Sequence, residues 1–174
     1  MYYLLDKVTA RLIIQALLKR SQYKTLTPEE GCAIDFFWRA TAPEIRLFIV
    51  SATANILQRL VLLPENAAAI HRFLRRVEVV QPTSYYKRWA RRLRNYAFTR
   101  EDAAVLALAT FGTDEDASFL SMNLVVTQDQ PMINNWLVRQ AEIQKHLDAM
   151  RYNIPSPYCY ASLPQVLRPE QVRT

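Results

Sequence analysis

MYYLLDKVTARLIIQALLKR, residues 1–20, is the stretch whose reading decides the fold. Tyr2 to Leu5 is apolar but too brief for a helix. Asp6 separates it from Lys7 to Arg20, where Leu12, Ile13, Ala16 and Leu17 recur at helical spacing. The segment therefore reads as a short buried strand followed at once by an amphipathic helix. It has no basic leader ahead of the apolar stretch and no small-residue cleavage site behind it, so it does not read as a signal peptide, and a cytoplasmic protein is expected.

The same alternation continues outward. Thr27-Pro28-Glu29-Glu30 pairs an N-capping threonine with proline at the first helical position and acids in the first turn, predicting a second helix to about Arg39. Arg46 to Ser51 (RLFIVS) reads as a buried strand, and ATANILQRLVLL as a helix ending before Pro64. Pro64-Glu65-Asn66 opens a helix through Arg75. Val77 to Val80 is a third strand stopped by Pro82, and helix returns from about Thr83 to Asn95. Thr99-Arg100-Glu101-Asp102 has the form of a capping box for an alanine-rich helix that Gly112 ends. Asn123 to Thr127 is a fourth strand, a long helix runs from about 131 to 151, and Leu163 to Leu167 is a fifth strand. Buried rather than half-exposed strands between helices predict a three-layer α/β/α fold around a parallel sheet of about five strands, with one domain spanning 1–174. Functional sites in such sheets lie beyond the carboxyl ends of the strands.

Composition narrows the function classes. Apolar residues make up 51% of the 174, which excludes an intrinsically disordered chain, and no apolar run approaches the roughly 20 residues of a membrane span. Cys32 and Cys159 have no CxxC partner, and His71 and His146 are the only histidines, which argues against zinc and for reduced, structural cysteines. The net charge is +6, but Arg72 to Arg100 holds nine basic residues against Glu78 alone, a local excess of eight that leaves the remainder net acidic. Such asymmetry suits a polyanion. On the helix to Asn95, Tyr86, Trp89, Ala90 and Leu93 follow the core-facing period, leaving Lys87, Arg88, Arg91, Arg92 and Arg94 outward as candidate nucleic-acid contacts. Five phosphate contacts give a salt slope of about −3.5 on a single strand. Tyr85 and Trp89 are candidates for base stacking, with core packing the stronger expectation for Trp89.

Three aspartates follow or precede strands. Asp6 comes directly after the first strand, Asp129 just past the fourth, and Asp102 opens the helix before the fourth. If the first and fourth strands are neighbours, these carboxylates share one sheet edge. Three carboxylates so gathered repel one another unless a hard cation such as magnesium or manganese neutralises them, and such an ion can activate water against a phosphodiester. Each also has an ordinary use: Asp6 and Asp129 as N-caps or turn residues, Asp102 in the capping box and against the helix dipole.

The stretches YYLLD at 2–6, REDAAVLALATFG at 100–112, LVVTQD at 124–129 and VLRPEQV at 166–172 resemble, in order and spacing, those of the PIN domain family. That resemblance implies a metal-dependent ribonuclease fold, with Asp6, Asp102 and Asp129 as catalytic and metal-binding residues and Thr127 in support. It also implies RNA as a substrate and, as in the small toxin nucleases of the family, an antitoxin-like protein partner. The chain departs from the family at two places. Lys7 and Val8 replace the Thr-Asn that commonly follows the first aspartate, and SATANILQRL offers no second acid, leaving Asn55 or Leu57 in its place with Glu101 as the candidate substitute ligand. Fewer carboxylates mean lower metal affinity, so the alternative is a catalytically inactive PIN-like module that binds RNA or a protein. A phosphatase with Asp6 as nucleophile would need an acid two residues on, where Val8 stands. The stripe Ile133, Trp136, Leu137, Gln140, Ile143 and Leu147 on the long helix suits either the sheet or a second copy of the chain in a homodimer.

Overall fold

The structure, a computed structural model, describes residues 1–80, 84–114 and 116–173. Its elements in chain order are β1 (Tyr2–Leu5), α1 (Lys7–Ser21), α2 (Pro28–Arg39), β2 (Arg46–Val50), α3 (Ser51–Leu60), α4 (Pro64–Leu74), β3 (Val77–Val80), α5 (Tyr86–Arg94), α6 (Arg100–Phe111), β4 (Leu124–Val126), α7 (Gln130–Arg151) and β5 (Gln165–Leu167). The strands form one sheet in the order β3-β2-β1-β4-β5, and every pairing is parallel. Tyr3 lies level with Leu47 and Leu124, which places the ends of β1 and β4 side by side at one edge.

The two faces of the pleat build two cores, because successive side chains on a strand point opposite ways. Leu4, Phe48, Val80, Val125 and Val166 pack against α5, α6 and α7, while Tyr3, Leu5, Leu47, Ile49, Leu124 and Val126 pack against α1 to α4. This is the three-layer α/β/α arrangement, and it explains why the strands read as continuous apolar runs. Within the first core Trp89 is wholly buried, and its indole N–H donates to the Thr110 hydroxyl at 3.2 Å, so its polar atom is satisfied where water is excluded.

Several boundaries differ from the sequence expectation for local reasons. The helix expected to reach Leu63 ends at Leu60, since Pro64 disfavours helical backbone at Leu63, whose ψ is 112°. The last strand starts at Gln165 rather than Leu163, because Pro164 has no N–H for the ladder and Gln165 supplies the first donor, to the Asn123 carbonyl at 2.9 Å. The Thr99 hydroxyl caps the Asp102 N–H at 3.1 Å without the reciprocal contact of a full capping box. On α7, Ile133, Trp136, Ile143 and Leu147 are buried, but Leu137 is 67% exposed and Gln140 is exposed too, so the apolar stripe is narrower than its sequence period. Both cysteines are unpaired. The expected strand stop at Pro82 and helix start at Thr83 lie outside the described residues. No helix among those described is long and apolar enough to cross a membrane.

Candidate active site

Asp6 is where strand geometry becomes site geometry. Its own N–H continues the sheet ladder by donating to the Val126 carbonyl at 3.1 Å, so the residue is fixed level with the end of β4. Its backbone stays extended (φ −66°, ψ 156°) while its side chain caps α1, Oδ1 accepting from the Lys7 N–H at 2.6 Å and Oδ2 from the Val8 N–H at 3.4 Å. Thr127, fully buried, donates its hydroxyl to Asp6 Oδ2 at 3.1 Å and accepts the Asp129 N–H at 3.0 Å. One threonine thus ties together the turns that follow β1 and β4. Asp129 in turn caps α7, its Oδ1 accepting from the Met132 N–H at 3.0 Å.

Asp102 lies in the first turn of α6, and its charge bears on Asp6. Burial pushes the Asp6 carboxyl above its ordinary range. The hydrogen bonds from Thr127, Lys7 and Val8 pull it back in part, and the negative charge of Asp102 adds to the upward push. Asp102, 96 positions from Asp6 in the chain, therefore bears on it electrostatically.

The remaining expected ligands are placed otherwise. The Glu101 carboxylate is held by the Lys7 ammonium at 2.6 Å, so the residue next to Asp6 engages the candidate substitute acid. Asn55 is exposed on α3 and makes no side-chain hydrogen bond among the described residues, and no residue of α3 is acidic. Among the described residues no group of three His, Cys, Asp or Glu side chains stands in position to enclose a metal ion. The donor set suits a different coordination. Magnesium is commonly held by one or two carboxylates and completes its octahedron with water and substrate phosphate. Asp6, partly buried, with the charge of Asp102 bearing on it, offers that mode and not a closed protein cage.

The basic helix α5 leads through residues 95–99 into the turn that carries Asp102. Lys87, Arg88, Arg91 and Arg94 are exposed, and Arg92 is half-buried against the end of α7 with Met150 and Ile154. Tyr85 packs against the rings of Phe111 and Tyr158, and Trp89, wholly buried, presents no face for a base. The Lys7–Glu101 pair had no sequence signal, because nothing local links the two positions.

No protein-family model matches the chain, and no curated protein does. Solved structures to which it is similar include VapBC2 from Rickettsia felis bound to a DNA fragment from their promoter, at 14% identity and TM-score 0.49 over 97% of this chain and 98% of that one. Another is VapBC-1 from nontypeable Haemophilus influenzae, at 16% identity and TM-score 0.45 over 79% of this chain and 94% of that one. At 14% and 16% identity neither likeness carries a residue's role across.

Proposed function

We propose that the chain is a PIN-like ribonuclease that hydrolyses RNA phosphodiesters at the edge formed by Asp6, Asp102 and Asp129, with magnesium or manganese as its weakly held cofactor. The observation that carries this reading is the Asp6 carboxyl, which caps α1 and is tied through Thr127 to the turn that holds Asp129, with the negative charge of Asp102 bearing on it from a distant segment. A protein holds like charges together at a cost, and a divalent cation relieves it. Bound there, the ion would polarise a water and offset charge on the phosphate. Asp6 and Asp102 would hold it, Thr127 would fix the rotamer of Asp6 through its hydroxyl, and Asp129 would complete the acidic rim. The exposed cations of α5 would carry the phosphates of the strand toward that rim.

The test is cleavage of labelled RNA by the purified protein in magnesium or manganese. The expected result is activity that disappears in Asp6→Asn and in Asp102→Asn, and that falls about 10- to 100-fold in Thr127→Val, the usual cost of removing a group that orients a ligand. Cleavage persisting unchanged in both aspartate variants would sink the proposal.

A second reading, an inactive PIN-like module that binds RNA or a protein partner, is favoured by the missing acid on α3 and by Lys7 occupying Glu101. An apolar groove between α1, α3 and α4, lined by Val8, Ile14, Leu18, Ile56 and Leu60 with Lys7 and Arg11 beside it, would accept an amphipathic segment of an antitoxin-like protein. Salt-sensitive RNA binding with no cleavage in millimolar manganese would select this alternative.

A further inference from the structure

A second cationic feature lies away from the acids and from α5. Trp38 near the end of α2 and Ala68, His71, Arg72, Arg75 and Arg76 at the end of α4 line an open cleft of about 660 Å³. Arg76 immediately precedes Val77, the first residue of β3, so the cleft belongs to the amino edge of the sheet, whereas Asp6 follows the carboxyl end of β1. The Arg76 guanidinium lies 5.4 Å from the Trp38 ring centroid and 5.5 Å from that of Phe37, which fixes it as a wall of the cleft. Arg72 and Arg75 are exposed beside it.

Among the described residues no carboxylate lines the cleft, and none of their ion pairs involves Arg72, Arg75 or Arg76. A helix C-terminus attracts cations, and that is the ordinary reading of basic residues at the end of α4. Yet the macrodipole is worth only about half an elementary charge and fades within a turn, so it cannot balance three guanidinium groups. Arginine is the side chain that suits bidentate phosphate binding, and Trp38, partly exposed with the Arg76 guanidinium over its ring, sets an aromatic group beside those contacts. Phosphate beside an aromatic ring is the chemistry of a nucleotide unit in a flexible strand.

We infer that this cleft, formed by Trp38, Arg72, Arg75 and Arg76, is a binding site for single-stranded nucleic acid, with phosphates on the arginines and a base against Trp38. It does not depend on hydrolysis at the acidic edge. Trp38 supplies its own reporter, because Trp89 and Trp136 are 0% and 1% exposed while Trp38 is only partly buried.

The experiment titrates the full chain with a short oligouridylate in EDTA and follows tryptophan fluorescence, with anisotropy of the labelled oligonucleotide in parallel. A saturable quench is expected that is lost in Trp38→Phe. The Arg72→Ala, Arg75→Ala double variant should bind at least tenfold more weakly, with a salt slope shallower by about 1.4, since each single-strand phosphate contact contributes about 0.7. Both arginines are exposed, so the double variant should keep the wild-type melting temperature. The matched double variant Arg88→Ala, Arg91→Ala on α5 should leave the quench in place. The inference is overturned if the quench survives in Trp38→Phe, or if the Arg72, Arg75 variant binds and quenches as the parent does. It is equally overturned if inorganic tripolyphosphate or a phosphopeptide reproduces the oligonucleotide's quench and affinity. Because no divalent ion is present, failure here leaves the cleavage test untouched, and loss of cleavage would not bear on the cleft.

Discussion

Asp6 is asked to do two things that favour opposite states. As the cap of α1 it accepts backbone N–H groups with its ionised oxygens, and as a half-buried carboxyl facing Asp102 it resists ionisation. The second effect wins, since its pKa lies above the ordinary 3.8. The folded state thus holds the Asp6 proton more tightly than the unfolded state does. Its contribution to stability is greatest below 3.8 and declines as pH rises through the raised value, after which the penalty is constant. Asp6→Asn should accordingly melt higher than the parent at neutral pH, with the gap closing as pH falls below the ordinary carboxylate range. Thermal melts of both proteins across pH will show this, and a gap that widens in acid would be the wrong sign. Thr9, fully buried in the first turn of α1, has a hydroxyl with no hydrogen-bond partner among the described residues. Thr9→Val keeps the branched shape and removes the orphan group, so denaturant titration should find a gain of about 1 kcal/mol. The aspartates were legible in the sequence because each directly follows a strand or opens a helix. Lys7–Glu101 was not, since an ion pair across 94 positions leaves no periodic trace.

Among the elements, α6 shows both what a period reveals and what it hides. Its alanine-rich run and the glycine after it mark a helix and its end without ambiguity, yet the reason for glycine differs from the usual left-handed cap. Gly112 has φ −69°, which any residue adopts. Space is what selects it: a Cβ there would sit 2.5 Å from the Leu108 carbonyl oxygen and 3.1 Å from Val80 Cγ2. Gly112→Ala must therefore push the end of α6 away from β3, and a loss of about 1–3 kcal/mol in chemical denaturation is expected. A substitution without effect would mean that the loop after α6 yields freely. The long helix α7 illustrates the opposite limit. Sequence spacing assigned Leu137 and Gln140 to the same stripe as Trp136 and Ile143, but which residues of an amphipathic face touch the sheet depends on how the helix crosses it. The middle of α7 faces outward even though its apolar residues recur in step. The parallel sheet was legible in the alternation of strands and helices, whereas strand order and helix tilt are set by packing partners that no single sequence window contains.

At the level of the whole molecule, the chain's positive charge is not spread over the surface. It is concentrated in the span from Arg72 to Arg100, which the fold divides between the end of α4 and the exposed side of α5, with β3 between them. Arg76 and Asp6 are separated along the strands by the length of β3 and sideways by two strand spacings. At about 3.3 Å per residue and 4.8 Å per strand this is roughly 16 Å. A stacked strand advances only about 3.4 Å per phosphate, so about five stacked nucleotides match that gap. Affinity measured against a ladder of oligonucleotides should therefore climb gradually for the shortest members and step upward once a single molecule can touch both margins of the sheet. Ligands below that threshold must choose one margin or the other, and two of them could sit on the protein at once.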